Sequence, residues 1–189
     1  MNTRSDRVQR TLALTAGLLA SLPSCAWELA GSHTVRLHPR AGEAQVIGTL
    51  RVEPEGEEFR FDLKLDTAKF QDFFLSMREF KCLQAEQEVH CHVPYPYHQP
   101  ATLTAGDLSW LEHALLFFYK TPRDFGARLW NGIYYRLEIT DDGLVGTPEA
   151  VDLEQISAPP DDATVPPFDP AQRSRIDPAS RAFVRLSID

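Results

Sequence analysis

Alternating apolar and polar residues predict a meander of strands in the first third of the chain. The clearest alternation is EFRFDLKLD, residues 58–66, in which apolar and charged residues follow one another throughout. Strict alternation is typical of an antiparallel strand with one face packed and the other in water. Residues 34–38 and 45–53 show weaker versions of the same pattern, and turn-forming residues separate the three segments.

The spacing of apolar residues then becomes helical in two segments, residues 66–77 and 107–120. The stripes are Phe70, Phe73, Phe74 and Met77 in the first segment and Leu108, Leu111, Leu115 and Phe118 in the second. Apolar residues three and four positions apart share one face of a helix. Asp66 or Thr67 would cap the first helix and Asp107 the second.

Further strands are predicted on either side of the second helix. They are residues 79–83, 88–93, 133–139, 144–156 and 181–188, with Asp142-Gly143 as a tight turn between the third and fourth. This order is not the regular alternation of strand and helix that gives parallel sheets. The predicted fold is therefore mainly β, a β-rich α+β fold: an antiparallel curved sheet or barrel of about eight strands, with two helices packed on it.

The chain divides into three predicted parts. Residues 1–26 hold three arginines near the start, an uncharged run of about a dozen residues and small residues at the end. This layout is typical of a secretory signal peptide, because the apolar run is too short to span a bilayer. Residues 27–156 form the β-rich core domain. Residues 157–189 form a proline-rich strap and a final strand that dock on the same domain, with a flexible linker as the alternative.

The sequence is compatible with two ways of processing the signal peptide. Cleavage after Ala26 would make Trp27 the first residue of the mature chain. Residues 22–25, LPSC, also resemble a bacterial lipobox, in which Cys25 would be lipidated and kept as the N-terminus. Pro23 fits that motif poorly. Lipidation of Cys25 is the only route by which the sequence predicts membrane association.

Two cysteines and three histidines crowd residues 79–98, EFKCLQAEQEVHCHVPYPYH. In a hairpin that turns at residues 86 and 87, Cys82 lies opposite Cys91, close enough for a disulfide on the apolar face. An exported chain favours a disulfide over a thiolate metal site. His90 and His92 would share the other face, either exposed to solvent or holding zinc or copper together with His98.

Aromatic residues concentrate in the middle of the chain and predict a ligand pocket at the mouth of the curved sheet. The proposed lining is Phe118, Tyr119, Phe125, Arg128, Trp130, Asn131 and Tyr134. Core packing is the alternative explanation for most of these rings. In the pocket hypothesis, Arg128 and Asn131 would supply polar contacts to an otherwise apolar ligand.

Charge and motifs narrow the function further. The net charge is −8, and no basic stripe is present, which argues against nucleic-acid binding. No nucleophile, zinc-protease or phosphate-loop motif occurs, so no cofactor is predicted.

The leading hypothesis is a non-catalytic binding or accessory protein, periplasmic or associated with the outer membrane of a bacterium. Its partner would be a small apolar ligand or another envelope protein. The alternative is an envelope hydrolase or metal-binding protein that uses His90 and His92 or paired carboxylates.

Overall fold

The structure, a computed structural model, describes residues 27–75, 78–124, 126 and 129–189. The predicted signal peptide, with Cys25, lies outside the described residues. Among the helices in the described part of the chain, none is long and apolar enough to cross a membrane.

The described residues form twelve strands and one α-helix, with short 3-10 turns between them. The strands are β1 Gly31–Pro39, β2 Gln45–Glu55, β3 Glu58–Leu65, β4 Gln71–Leu75, β5 Arg78–Gln84, β6 Val89–His92, β7 Thr102–Leu103, β8 Phe117–Lys120, β9 Gly132–Thr140, β10 Gly143–Val151, β11 Ser174–Arg175 and β12 Phe183–Ile188. The helix, α1, is Ser109–Ala114, and the 3-10 turns are Thr67–Lys69, Leu129–Asn131, Leu153–Ile156, Pro170–Gln172 and Pro178–Ser180.

All twelve strands belong to one antiparallel sheet. Its order is β4-β5-β6-β8-β9-β10-β12-β1-β2-β3-β7, and β11 adds to β10 outside this path. The prediction of a mainly β, antiparallel fold is confirmed. The predicted strand number of about eight was too low, partly because β4, β7, β8 and β11 come from segments assigned to helices or loops. The sheet is open and does not close into a barrel, because its hydrogen-bonded order ends at β4 and β7.

The two predicted hairpins are present, one of them with its turn displaced by one residue. Leu50 of β2 lies opposite Leu63 of β3, as the alternation of apolar residues requires. The β9–β10 hairpin turns at Asp141 and Asp142, one position before the predicted Asp142-Gly143 turn, and Gly143 pairs with Thr140. Gly143 has a φ of 141°, a conformation that a residue with a Cβ rarely adopts. Local pattern and turn chemistry are thus sufficient to define these pairs.

Strands in the middle of the sheet are buried on both faces. Adjacent residues such as Phe117 and Phe118 point to opposite sides of a strand, and both are fully buried. Phe117 belongs to a large cluster with residues of β1, β2, β3, β9 and β12, whereas Phe118 belongs to a smaller cluster with residues of β5, β6 and β10. The large cluster collects side chains from nearly the whole sheet, which shows that the sheet curves around it.

The predicted first helix, residues 66–77, was wrong over most of its length. A 3-10 turn at Thr67–Lys69 leads directly into β4, in which Phe73 pairs with Phe80 of β5. Phe70 packs in the large cluster, whereas Phe73 packs against the small one. A helix would bring both rings to one face. Because the two rings pack in different clusters, an extended chain is favoured over a helix in this segment. Met77 lies outside the described residues.

The predicted second helix is confirmed only at Ser109–Ala114. The predicted cap is displaced by one position: the side chain of Asp107 accepts a hydrogen bond from Ser109 N–H at 3.0 Å, but the residue that precedes the helix is Leu108. From Phe117 onward the chain forms β8 between β6 and β9. The run Phe117-Phe118 buries one ring in each cluster, which a strand allows and one helical stripe does not.

The strap contacts the sheet at several points. Its segment β11 pairs with β10, and the final strand β12 lies between β10 and β1. Phe168 is fully buried in the small cluster. The main-chain oxygen of Phe168 accepts hydrogen bonds from Arg173 Nε at 3.0 Å and Nη2 at 2.6 Å. These contacts place the proline-rich segment against the same core that the first half of the chain builds.

Candidate functional site

The β5–β6 hairpin carries the predicted disulfide. Cys82 and Cys91 are paired in register and bonded to each other, and both are fully buried. They lie in the small cluster with Phe80, Val89 and Val93, which is the apolar face that the alternation predicted. The prediction of a disulfide at Cys82 and Cys91 is therefore confirmed.

His90 and His92 point to the opposite face, but that face is not in water. His90 has no exposed surface, and its ring stacks on Phe117 at a centroid distance of 4.6 Å. His90 Nε2 lies 3.3 Å from the Tyr135 hydroxyl. Solvent exposure of His90 was therefore a wrong expectation, because the curved sheet buries this face too. Burial lowers the pKa of His90, more than nearby Glu88 raises it.

His92 is only partly buried, and its Nε2 donates a hydrogen bond to the carbonyl oxygen of Ala114 at 3.0 Å. Burial lowers the pKa of His92 as well. His98 is exposed in the loop between β6 and β7. Within the described ranges, no group of three or more His, Cys, Asp or Glu side chains is arranged to hold a metal ion.

The described residues of the predicted aromatic pocket lie in different parts of the molecule and do not share one cavity. Phe118 and Tyr134 are fully buried in the small cluster. The Asn131 side chain donates a hydrogen bond to the Tyr119 carbonyl oxygen at 3.2 Å, and 61% of the Trp130 surface is exposed. Phe125 and Arg128 lie outside the described residues. Core packing, the alternative explanation, accounts for Phe118 and Tyr134.

One cavity, which we call the end cavity, lies instead between β3, near one end of the sheet, and β5 and β6, near the other end. Only residues 66–70 separate β4, at one end of the hydrogen-bonded order, from β3, which lies next to the other end. The two ends of the sheet are therefore close in space. The cavity between them has a volume of about 450 Å³. Its apolar lining is Phe61, Leu63, Leu65, Phe70, Pro94, Tyr95, Ala101 and Ala114, and its polar lining is Asp62, Thr67, Lys81, His92 and Gln99.

Comparisons of the chain with protein-family models, curated proteins and solved structures found no match.

Two polar atoms of residues that line the end cavity have no hydrogen-bond partner in the described part of the chain. They are the Tyr95 hydroxyl and Gln99 Oε1, and both atoms are buried. The Tyr95 ring packs against Tyr97 and Trp110, at centroid distances of 5.6 Å and 6.1 Å. Burial raises the pKa of the Tyr95 phenol, which therefore stays protonated at neutral pH. The wall of the cavity thus combines packed aromatic rings with two polar atoms that form no hydrogen bond within the described residues.

The charged groups at the end cavity are already paired. Lys81 Nζ contacts two carboxylates, those of Asp72 and Glu79, and Asp62 pairs with Lys64 at 3.0 Å. Asp72 raises the pKa of Lys81 most, and Glu79 adds to this effect. Lys81 therefore stays charged, but its charge is offset by two neighbouring carboxylates.

A second cavity, of about 410 Å³, lies beside a cluster of charged residues that sequence reasoning missed. Arg181 Nη1 lies 3.4 Å from Glu88 Oε2, and the other carboxylate oxygen lies 3.5 Å from His90 Nδ1. The Arg181 guanidinium stacks 3.6 Å from the centre of the Tyr119 ring. Glu88 and Arg181 are separated by more than ninety positions, so no local pattern indicates their contact. Because Glu88 and Arg181 carry opposite charges and contact each other, we assign this cluster to the stability of the fold.

Proposed function

We propose that the protein is an exported, non-catalytic binding protein of a bacterial cell envelope, and that it holds a small apolar or amphipathic molecule in the end cavity. The observation that carries this proposal is the cavity itself. Its volume of about 450 Å³ falls within the range of about 300–1,000 Å³ typical of small-molecule sites. An apolar wall with a few polar groups is also the usual composition of such sites.

Blocking the end cavity should remove ligand binding. Nile red, a neutral apolar dye that fluoresces in apolar surroundings, should bind to the purified chain. Ala114→Phe places a large side chain in the cavity and should weaken Nile red binding more than about tenfold, or about 1.4 kcal/mol. Fluorescence titration measures the affinity.

Two further variants make this experiment decisive. Ala163→Phe adds the same ring at an exposed position of the strap and should leave Nile red affinity unchanged. Leu63→Trp adds a large side chain at another lining residue of the cavity and should reproduce the loss if Ala114→Phe fails to fold. If folded Ala114→Phe and Leu63→Trp both bind Nile red as well as the unmodified chain, the end cavity is not the site.

Export is supported by the buried Cys82–Cys91 disulfide, since such bonds persist mainly in oxidising compartments. We expect the chain isolated from the cell envelope without reductant to begin at Trp27 and to lack two hydrogen atoms relative to the thiol form. Intact-mass analysis tests both points. A chain that begins at an acylated Cys25 would support export by the lipoprotein route. A chain that retains residues 1–26 in the cytosol, with free thiols, would contradict the proposal.

A further inference from the structure

We propose that the end cavity selects amphiphiles with an uncharged head group that donates a hydrogen bond, and that it discriminates against anionic heads. The selection rests on the ligand-binding function proposed above. It follows from the charges around the cavity and from the polar atoms of its wall.

The charges around the end cavity disfavour an anion. Lys81 is the only lysine or arginine in the described lining, and both Asp72 and Glu79 already contact its ammonium group. A carboxylate head that approached Lys81 would therefore meet two carboxylates of the same charge. Burying a charged head without a free counter-ion costs far more than burying a neutral hydroxyl that finds a partner.

The histidine of the cavity supplies no positive charge either. His92 Nε2 donates to the Ala114 carbonyl oxygen at 3.0 Å, and burial lowers the pKa of the imidazole. The histidine is thus neutral at pH 7. No described residue that lines the cavity offers an unpaired cation to an anionic ligand.

The polar atoms of the wall favour a head that donates. Gln99 Oε1 is a buried acceptor without a donor, and the Tyr95 hydroxyl is a buried group that both donates and accepts. Leaving such groups unpaired is unfavourable. A ligand head that reaches them through rotation of the Tyr95 or Gln99 side chain therefore gains affinity. An alcohol or a primary amide donates a hydrogen bond, whereas a carboxylate accepts only. A cationic ammonium head also donates, but it loses more hydration on entering the apolar cavity.

Competition against Nile red separates these head groups at constant chain length. Decanol, decanoate and decylammonium share one alkyl tail and differ only in the charge of the head. At neutral pH, decanol should displace Nile red at a concentration at least about tenfold lower than decanoate, a difference of about 1.4 kcal/mol. Decanoate that binds as tightly as decanol would overturn the proposed selection. So would decylammonium that binds more tightly than decanol, because the carboxylates of Asp72 and Glu79 would then govern recognition.

The same experiment distinguishes this selection from the proposed function. If Nile red binds in a manner sensitive to Ala114→Phe but no decyl compound displaces it, the head-group selection is wrong and the binding function stands. If Nile red binding does not depend on the end cavity, the binding function itself fails.

Two substitutions assign the hydrogen bonds. Tyr95→Phe and Gln99→Leu should each weaken decanol binding about three- to tenfold, the usual worth of one hydrogen bond, and leave the binding of decane unchanged. Tyr97→Phe is the matched control, because Tyr97 packs on Tyr95 but does not line the cavity. Equal losses for decane and decanol would show that the substitutions disturb packing alone, and would overturn the assignment.

Discussion

Replacing Phe168 with alanine should lower the free energy of unfolding by about 3–5 kcal/mol, the usual cost of removing a fully buried phenylalanine ring. Phe168 has no exposed surface, although it lies in a proline-rich segment. Its ring stacks on His113 at a centroid distance of 5.5 Å and meets the edge of Tyr134 at 6.3 Å. Since a domain of this kind is stable by only about 5–15 kcal/mol, the loss would be a large part of the total.

The hydrogen bonds around Phe168 show why this residue anchors the strap. The Phe168 N–H donates to His113 Nε2 at 3.2 Å, and Arg173 stacks 4.0 Å from the centre of the Tyr134 ring. Tyr134 donates to the buried carboxylate of Glu112. Removal of the ring leaves an empty space in the middle of this arrangement, where neighbouring side chains are held by hydrogen bonds and have little freedom to fill it.

Val165→Ala is the matched control. Val165 lies in the same segment but is 57% exposed, so its truncation should change stability by less than about 0.5 kcal/mol. Urea unfolding gives the global stability, and limited proteolysis reports whether residues 157–180 have become accessible. If Phe168→Ala and Val165→Ala unfold at the same urea concentration and resist protease equally, Phe168 does not hold the strap.

Acidification should destabilise the folded protein between about pH 6.5 and pH 4, by up to about 3 kcal/mol from His113 alone. Burial lowers the pKa of His113 from its ordinary value of 6.5 to about 4. In this window the unfolded chain binds a proton at His113 and the folded chain does not, so each fall in pH favours unfolding. His90 and His92 act in the same direction, because burial lowers the pKa of both.

Contacts of His113 explain why the folded chain resists its protonation. A carbonyl oxygen can only accept, so the His113 Nδ1 that contacts the Ser109 carbonyl carries the proton. Nε2 must then accept the Phe168 N–H, and a second proton would break that bond. Nearby Arg173 lowers the pKa of His113 further, whereas Asp107 raises it by a smaller amount.

Glu112 opposes this trend in part. Burial raises the pKa of its carboxyl, and nearby Glu149 adds to this effect. The Tyr134 hydroxyl, the Leu137 N–H and Arg173 lower the pKa but do not cancel the increase. The folded chain therefore retains a proton on Glu112 at pH values where the unfolded chain has released it. Acidification through this group favours the folded state, so the net loss of stability is smaller than the sum over the histidines.

Urea unfolding at about pH 7.5 and about pH 5 tests the effect. His113→Gln removes the titrating group, so its stability should depend less on pH than that of the unmodified chain. His98→Gln replaces an exposed histidine and should retain the full dependence. An unchanged pH dependence in His113→Gln would show that this residue does not carry the effect.

Local pattern alone determined the paired strands and the disulfide of this protein. The alternation in residues 58–66 predicts β3 and which of its side chains share a face, because side-chain direction in a strand depends only on position along the chain. The same rule placed Cys82 opposite Cys91 once the turn between them was assigned. These features depend on neighbours in sequence, and for that reason the sequence was sufficient for them.

Both predicted helices failed in part for one physical reason. A periodic stripe predicts a helix when only one face is buried, but the curved sheet buries both faces of its middle strands. Phe70 and Phe73 therefore belong to different cores, as do Phe117 and Phe118. The local pattern around Phe117 and Phe118 does not indicate that a second core covers this strand, because Phe168 of that core comes from a segment about fifty residues away.

The candidate site was likewise decided by tertiary structure. Aromatic density favoured a pocket around Trp130, but the end cavity brings together β3, the loop that holds Tyr95 and Gln99, and the end of α1. The position of the cavity depends on how strongly the open sheet curves, because this curvature brings the two ends of the sheet close together. Curvature is a property of the whole sheet, whereas the sequence pattern reports only which residues of each strand face inward.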